Sequence, residues 1–170
     1  MISKVLSKDA CKNCKFCCVF VRDSLWELPA FPKESYERII ANDKTKEKYF
    51  EKICTDDDFY YKMKLEDQYV SDNPDETASC IFLDENHGCT LNDEDKPLEC
   101  KIWPLRVMDK DNNRVVAFET ICPELGETPS EDIKKLVEDI KEDIRRYSSK
   151  HPFIVKPYND RFPIISKIDG

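Results

Sequence analysis

Glycine is nearly missing from this chain: Gly88, Gly126 and Gly170 are the only three, and they lie far apart. A loop that cradles a nucleotide phosphate needs clustered glycines so that the backbone can approach it, so neither a P-loop nor a dinucleotide-binding turn can be built here. Long apolar runs are missing as well. No stretch approaches the roughly 20 residues that a membrane span needs, and the opening segment up to Cys11 lacks the apolar centre of a secretory or lipoprotein signal. The expected location is therefore the cytoplasm, where thiols stay reduced. Positive charge is the scarcer sign, with 27 Lys and Arg against 35 Asp and Glu, a net charge of −8. Such a surface repels phosphate backbones, which argues against nucleic acid and anionic membranes and leaves room for a basic protein partner. Histidine is scarce too. His87 and His151 are the only two, and the chain offers no Ser/His/Asp set, no His-Glu-x-x-His motif and no carboxylate pair in a distinctive context. The many acidic residues read as solvated surface.

Cysteine is what the chain does have. Cys11-Lys-Asn-Cys14-Lys-Phe-Cys17-Cys18 places four cysteines within eight residues. Two intervening residues let the backbone close a tight knuckle with both sulfurs to one side, the geometry of thiolate metal sites in zinc knuckles and iron–sulfur loops. Lys12 and Lys15 between them favour the thiolate, which is the ligand form. Nine cysteines in a reducing compartment read as ligands or catalysts rather than disulfides.

The chain reads as one α+β domain over residues 1–170, with short antiparallel hairpins, a few helices and a Cys-rich, metal-centred core. From Phe20 to Pro32 a packed loop is expected, with Trp26 in the core. Pro32 opens a helix over about 33–41, and a second is expected over about 44–54, stopped by Asp56-Asp57-Asp58. Cys54 on that helix reads as a small buried hydrophobe. A strand follows over 59–70. Cys80 to Asp84 and Cys89 to Leu91 form a hairpin about the turn at His87, which decorates that turn, and residues 93–95 are solvated loop. Trp103 to Met108 and Arg114 to Thr120 form the clearest hairpin. Thr128 as N-cap, Pro129 at the first turn and Glu131 as the returning carboxylate open a helix that ends near Lys150. His151 reads as surface, and the proline-bearing tail as extended chain.

Cys80, Cys89, Cys100 and Cys122 each fall at or beside a strand end or turn, where a side chain can be aimed at a common point. With the opening four they make eight candidate ligands, enough for two tetrahedral zinc sites or two four-iron clusters. In an extended segment Cys17 and Cys18 point to opposite sides and serve different metals. One division gives Cys11, Cys14 and Cys17 plus a distant ligand to one site, and Cys18 with the remaining dispersed cysteines to another. The alternative is one metal centre with four further thiols in redox or structural roles. Structural zinc sites usually present two short Cys pairs; here three cysteines at x2 spacings and a remote Cys-Pro partly echo the bacterial ferredoxin run, which favours iron–sulfur over zinc.

With both sets in hand the chain resembles the CxxCxxCC cysteine-cluster family, described as zinc- or iron-chelating. Cys11, Cys14, Cys17 and Cys18 match its opening motif. Pro97, Cys100, Trp103 and Pro104 match its downstream signature, with Lys96 where arginine is usual, so a bidentate contact at that position is lost. Cys80, Cys89 and Cys122 follow the family's remaining cysteines in order. The likeness covers about residues 11–123, leaving the C-terminal helix (about 129–150) and tail outside. It implies metal or iron–sulfur binding. Larger members related to flagellin lysine N-methylases add protein methylation as a third reading. The leading expectation is a cytoplasmic 4Fe–4S protein with a redox or electron-transfer role and a redox or substrate protein as partner, its centre shielded by Phe16, Trp26 and Trp103. The rival is a structural zinc module that binds a protein.

Overall fold

A computed structural model describes residues 1–5 and 12–169; Cys11, the first of the candidate ligands, lies outside the described residues. The chain is α+β, as its sequence pattern implies, and it clusters into two compact units. One unit is residues 15–97; the other combines 1–14 with 98–170.

In the unit of residues 15–97, α1 (Lys33–Asn42) starts after Pro32 and buries Ile39, as the proline placement predicts. The helix expected over 44–54 does not form. Asp43 accepts from the Thr45 amide and opens a 3₁₀ segment, Lys44–Tyr49, after which the chain extends as β2 (Phe50–Cys54). The acidic run instead makes a hairpin turn, closed by Thr55 N–H to the Asp58 carbonyl at 2.8 Å, and β3 (Phe59–Met63) returns antiparallel. Apolar spacing over so short a run fits either period; pairing with an aromatic-rich partner strand decides it. β1 (Val19–Val21) pairs with β4 (Thr77–Ser79), and β5 (Leu83–Asp84) with β6 (Gly88–Cys89). Phe20, Leu28, Phe31, Phe50, Met63 and Phe82 form this unit's core. Trp26, expected there, is 38% exposed on the 3₁₀ segment Arg22–Glu27. Residues 93–95 are not uniformly solvated either: Asp95 is buried on Arg38 at 2.7 Å.

The other unit is built on β7 (Leu105–Lys110) and β8 (Asn113–Phe118), joined through Asp111 and Asn112, both at positive φ. That two-residue turn matches the right-handed strand twist and tolerates Asn and Asp better than most residues. The tail does not simply run over the surface. β9 (Lys156–Pro157) pairs parallel with β7, and β10 (Ile164–Lys167) pairs antiparallel with β8. Short α2 (Leu98–Ile102) precedes β7. The long α3 (Glu131–Lys150) buries Ile133, Leu136, Val137, Ile140 and Ile144 along one face. Its cap is Ser130, two residues later than the capping pattern suggests, with Oγ accepting from the Ile133 amide at 3.3 Å. Ser130→Ala should lower stability by about 1 kcal/mol, read by urea denaturation; an unchanged midpoint would show that the cap is energetically idle. His151, expected on the surface, is 6% exposed, its ring packed against Tyr147 at 4.6 Å and Phe153 at 5.4 Å.

Arg114 fastens the end of the tail. Its Nε and Nη2 donate to the Asp169 carboxylate at 2.8 and 2.6 Å, its backbone N–H adds a third bond, and Nη1 donates to Ser148 and Ser149. The guanidinium beside it holds Asp169 down to about 2. A carboxylate whose folded pKa is depressed contributes stability above its unfolded pKa, near 3.9, and loses it as protons bind. Asp169→Asn should therefore remove about 1–2 kcal/mol at pH 7. The difference from wild type should fade between about pH 4 and pH 2, checked by denaturation at each pH.

Candidate metal centre

The boundary between the units falls inside the opening motif, after Cys14. Cys14 ends the helical turn at residues 12–14, and Lys15 then takes a left-handed conformation, φ 56°. Phe16–Cys18 is a 3₁₀ turn, not the extended segment assumed from sequence. Adjacent Cys17 and Cys18 are consequently not held on opposite sides; the Cys17 thiol donates a hydrogen bond to the Cys18 sulfur. Lys15 Nζ donates to the Glu85 carbonyl at 2.6 Å, tying this turn to the β5–β6 loop.

Three elements bring Cys18, Cys80 and Cys89 within electrostatic reach of one another. The β1–β4 ladder sets Val19 opposite Ser79, and the Cys80 amide donates to the Cys18 carbonyl at 2.8 Å. β5 and β6 then pair Leu83 with Cys89. The β5–β6 turn is shaped by Asp84, whose Oδ1 accepts from the amides of Asn86 and His87 and meets His87 Nδ1 at 2.8 Å. His87 thus belongs to the turn, as its position suggests.

Backbone amides aim at these sulfurs. Cys80 Sγ accepts from Phe82 and Leu83 N–H, Cys89 Sγ from Leu91, and Cys122 Sγ from Glu124 and Leu125. Hydrogen bonds to the charged form favour the thiolate. Burial works against them and is the larger effect at all three, pushing Cys80 up to about 12 and raising Cys89 and Cys122. Cys18 moves the other way, lowered chiefly by the bond from Cys17, with Lys96 adding a smaller pull against burial. Lys96 also eases Cys89 and is anchored on Asp93 at 3.2 Å. In metal-free protein at pH 8, iodoacetamide should modify Cys18 at least roughly tenfold faster than Cys80, and Lys96→Met should slow Cys18. Peptide mass mapping reads both, and equal rates would contradict this assignment.

The second group lies in the other unit. Cys122 is buried and lines an open hollow of about 540 Å³, and Cys14 lies near enough to raise its thiol. Cys100 sits exposed on α2. Cys54 ends β2 and is exposed, so it is not the buried residue expected. None of the eight described cysteines is in a disulfide. Among the described residues no three His, Cys, Asp or Glu side chains are already arranged to hold a metal ion. The donor set itself is all sulfur, with amides directed at three of the thiols, which suits a thiolate-bound metal.

Sequence reasoning missed Met63, whose Sδ accepts from the Cys80 thiol at 3.7 Å. It stands 17 residues upstream, and no spacing rule signals it. The expected apolar shell differs too. Phe16 and Trp26 are 41% and 38% exposed, whereas Cys80 packs on the core that holds Met63 and Phe82. Trp103 is stacked under Arg106, 4.7 Å from its guanidinium. Among the described residues no helix is long and apolar enough to cross a membrane. The chain matches no family model, no curated protein and no solved structure.

Proposed function

We propose that this protein holds a thiolate-bound metal, an iron–sulfur cluster of the 4Fe–4S type, and serves in redox or electron transfer in the cytoplasm. The observation that carries the reading is that Cys18, Cys80 and Cys89, from three separate elements, lie within electrostatic reach of one another, with amide donors aimed at two of the sulfurs. Side chains that merely fill a core do not need N–H groups directed at them. Burial raises Cys80 and Cys89 while the amides pull them down, a conflict that a bound cation resolves by supplying the missing positive charge. Cys17 completes a set of four in that unit. Cys14, Cys100 and Cys122, with Cys11 at the head of the motif, supply the second set. The two sets fit the eight-ligand reading and the resemblance to the cysteine-cluster family. Iron rather than zinc is favoured by the single Cys-x2-Cys-x2-Cys run and the lack of a second short pair.

When bound, the cluster would supply reversible one-electron transfer. The chain's own residues hold the sulfurs, direct amides toward them, place Lys96 beside Cys18 and Cys89, and pack Met63 against Cys80 away from water. Each of these is a lever on cluster potential.

The deciding experiment is purification without oxygen, followed by iron, sulfide and zinc per chain and a visible spectrum. About four irons and four sulfides per cluster, with an absorbance bleached by reductant, is the expected result. Zinc without sulfide, in protein never exposed to oxygen, would overturn the redox reading and leave a metal-stapled binding module.

A further inference from the structure

We propose that the face built from residues 16–27 and 70–76 docks a basic protein. The inference stands without the metal reading. It begins with apolar side chains left in water: Phe16 is 41% exposed, Val21 36%, Trp26 38% and Val70 89%. Isolated exposed hydrophobes are ordinary, but neighbouring ones mark interaction sites. Here the two segments are joined. Arg22, next to Val21, donates to the Ser71 carbonyl at 2.8 Å and lies 4.4 Å from the ring of Tyr69, next to Val70. Val21 itself pairs with Thr77 on β4. The patch is therefore anchored on strand and hydrogen-bonded loop rather than on a free end.

Its surroundings identify the occupant. Residues 15–97 carry eleven Lys and Arg against twenty Asp and Glu, whereas the remainder of the chain is almost balanced, sixteen against fifteen. The chain's negative charge is thus concentrated in the unit that bears this face. Asp23, Asp67, Asp72 and Asp75 lie exposed within or beside the two segments. Exposed apolar residues on two joined segments, interspersed with acidic ones, are the complement of a lysine- and arginine-rich protein surface around an apolar contact, and repel phosphate. Exposed Cys17 adjoins Phe16 at the edge of this face, so a protein seated there lies beside the thiol group of its own unit.

The probe is a synthetic peptide of six lysines and two leucines, titrated calorimetrically into the full-length protein as isolated, then coupled to it by carbodiimide. The expected coupling sites are Asp23, Glu27 and Asp72, and affinity should fall at least tenfold between 50 and 300 mM salt. Val70→Ser, at a position 89% exposed, should weaken binding about threefold, as should glycines in place of the leucines. Asp23→Lys with Asp72→Lys should weaken it at least tenfold. Coupling concentrated on Asp56–Asp58 or on α3 would overturn the assignment. So would no binding, or unchanged affinity for Val70→Ser and the leucine-free peptide. Sedimentation showing that two copies close this face on each other would replace the basic protein with self-association.

Discussion

On the proposed metal reading, Cys80→Ser protein purified without oxygen is expected to lose the metal of one centre while Cys54→Ser keeps the full complement. The contrast follows from where the two thiols lie. Cys80 accepts amide bonds from Phe82 and Leu83, lies within electrostatic reach of Cys18 and Cys89, and packs on the core around Met63 and Phe82. Cys54 sits exposed at the end of β2. Serine removes the soft sulfur donor with little change in volume, so folding of metal-free protein should differ little between the two variants. Stability of the loaded protein should differ strongly, because metal affinity at a site formed by folding adds directly to folding free energy. Metal analysis and thermal denaturation of both variants, with and without chelator, check this together. Equal metal content in the two would remove Cys80 from the ligand set and with it the central observation behind the proposed function.

Glu119→Ala is expected to cost about 3–5 kcal/mol. Glu119 and Arg106 have side chains only 3% and 5% exposed, with Oε2 and Nε 3.7 Å apart. The Glu119 amide donates to the Pro104 carbonyl at 2.8 Å, which fixes the carboxylate at the end of the β7–β8 hairpin. Alanine would take the Glu119 carboxylate away from a buried guanidinium. That is far more costly than losing a surface pair, because the low dielectric that strengthens the attraction also penalises a buried charge that loses it. Replacing both partners, Arg106→Met with Glu119→Leu, should return most of the loss, since well-packed apolar residues avoid the desolvation penalty altogether. Urea denaturation of the two variants separates these outcomes. A loss below 1 kcal/mol in Glu119→Ala would show that the pair is solvated in the native state.

Part of this protein is written in local sequence. α3 follows from Ile133, Leu136, Val137, Ile140 and Ile144 at helical spacing, because a helix that buries one face must repeat apolar residues every three or four positions. The β7–β8 hairpin follows from two apolar runs around Asp111 and Asn112, residues that tolerate positive φ. The positions of the cysteines were legible for the same reason: short spacings constrain a backbone whatever lies around it.

What local sequence left open was settled by partners far along the chain. Residues 44–54 carry an apolar spacing that suits a helix, yet Phe50–Cys54 is a strand because β3 offers it a ladder. Cys17 and Cys18 lie in a 3₁₀ turn, so the alternation of an extended chain never applied to them. His151 is buried because Tyr147 and Phe153 close around it. Trp26, the more hydrophobic prospect, is left in water. Which residues could be ligands and which segments could be helix or hairpin was readable locally, since those depend on chemistry and period within a few residues. Long-range folding was needed to bring Cys18, Cys80 and Cys89 within electrostatic reach of one another, to set Met63 against Cys80, and to leave apolar side chains of the acidic unit exposed. Each of those depends on strand pairing across tens of residues, where loop closure and packing, not local preference, choose the neighbour.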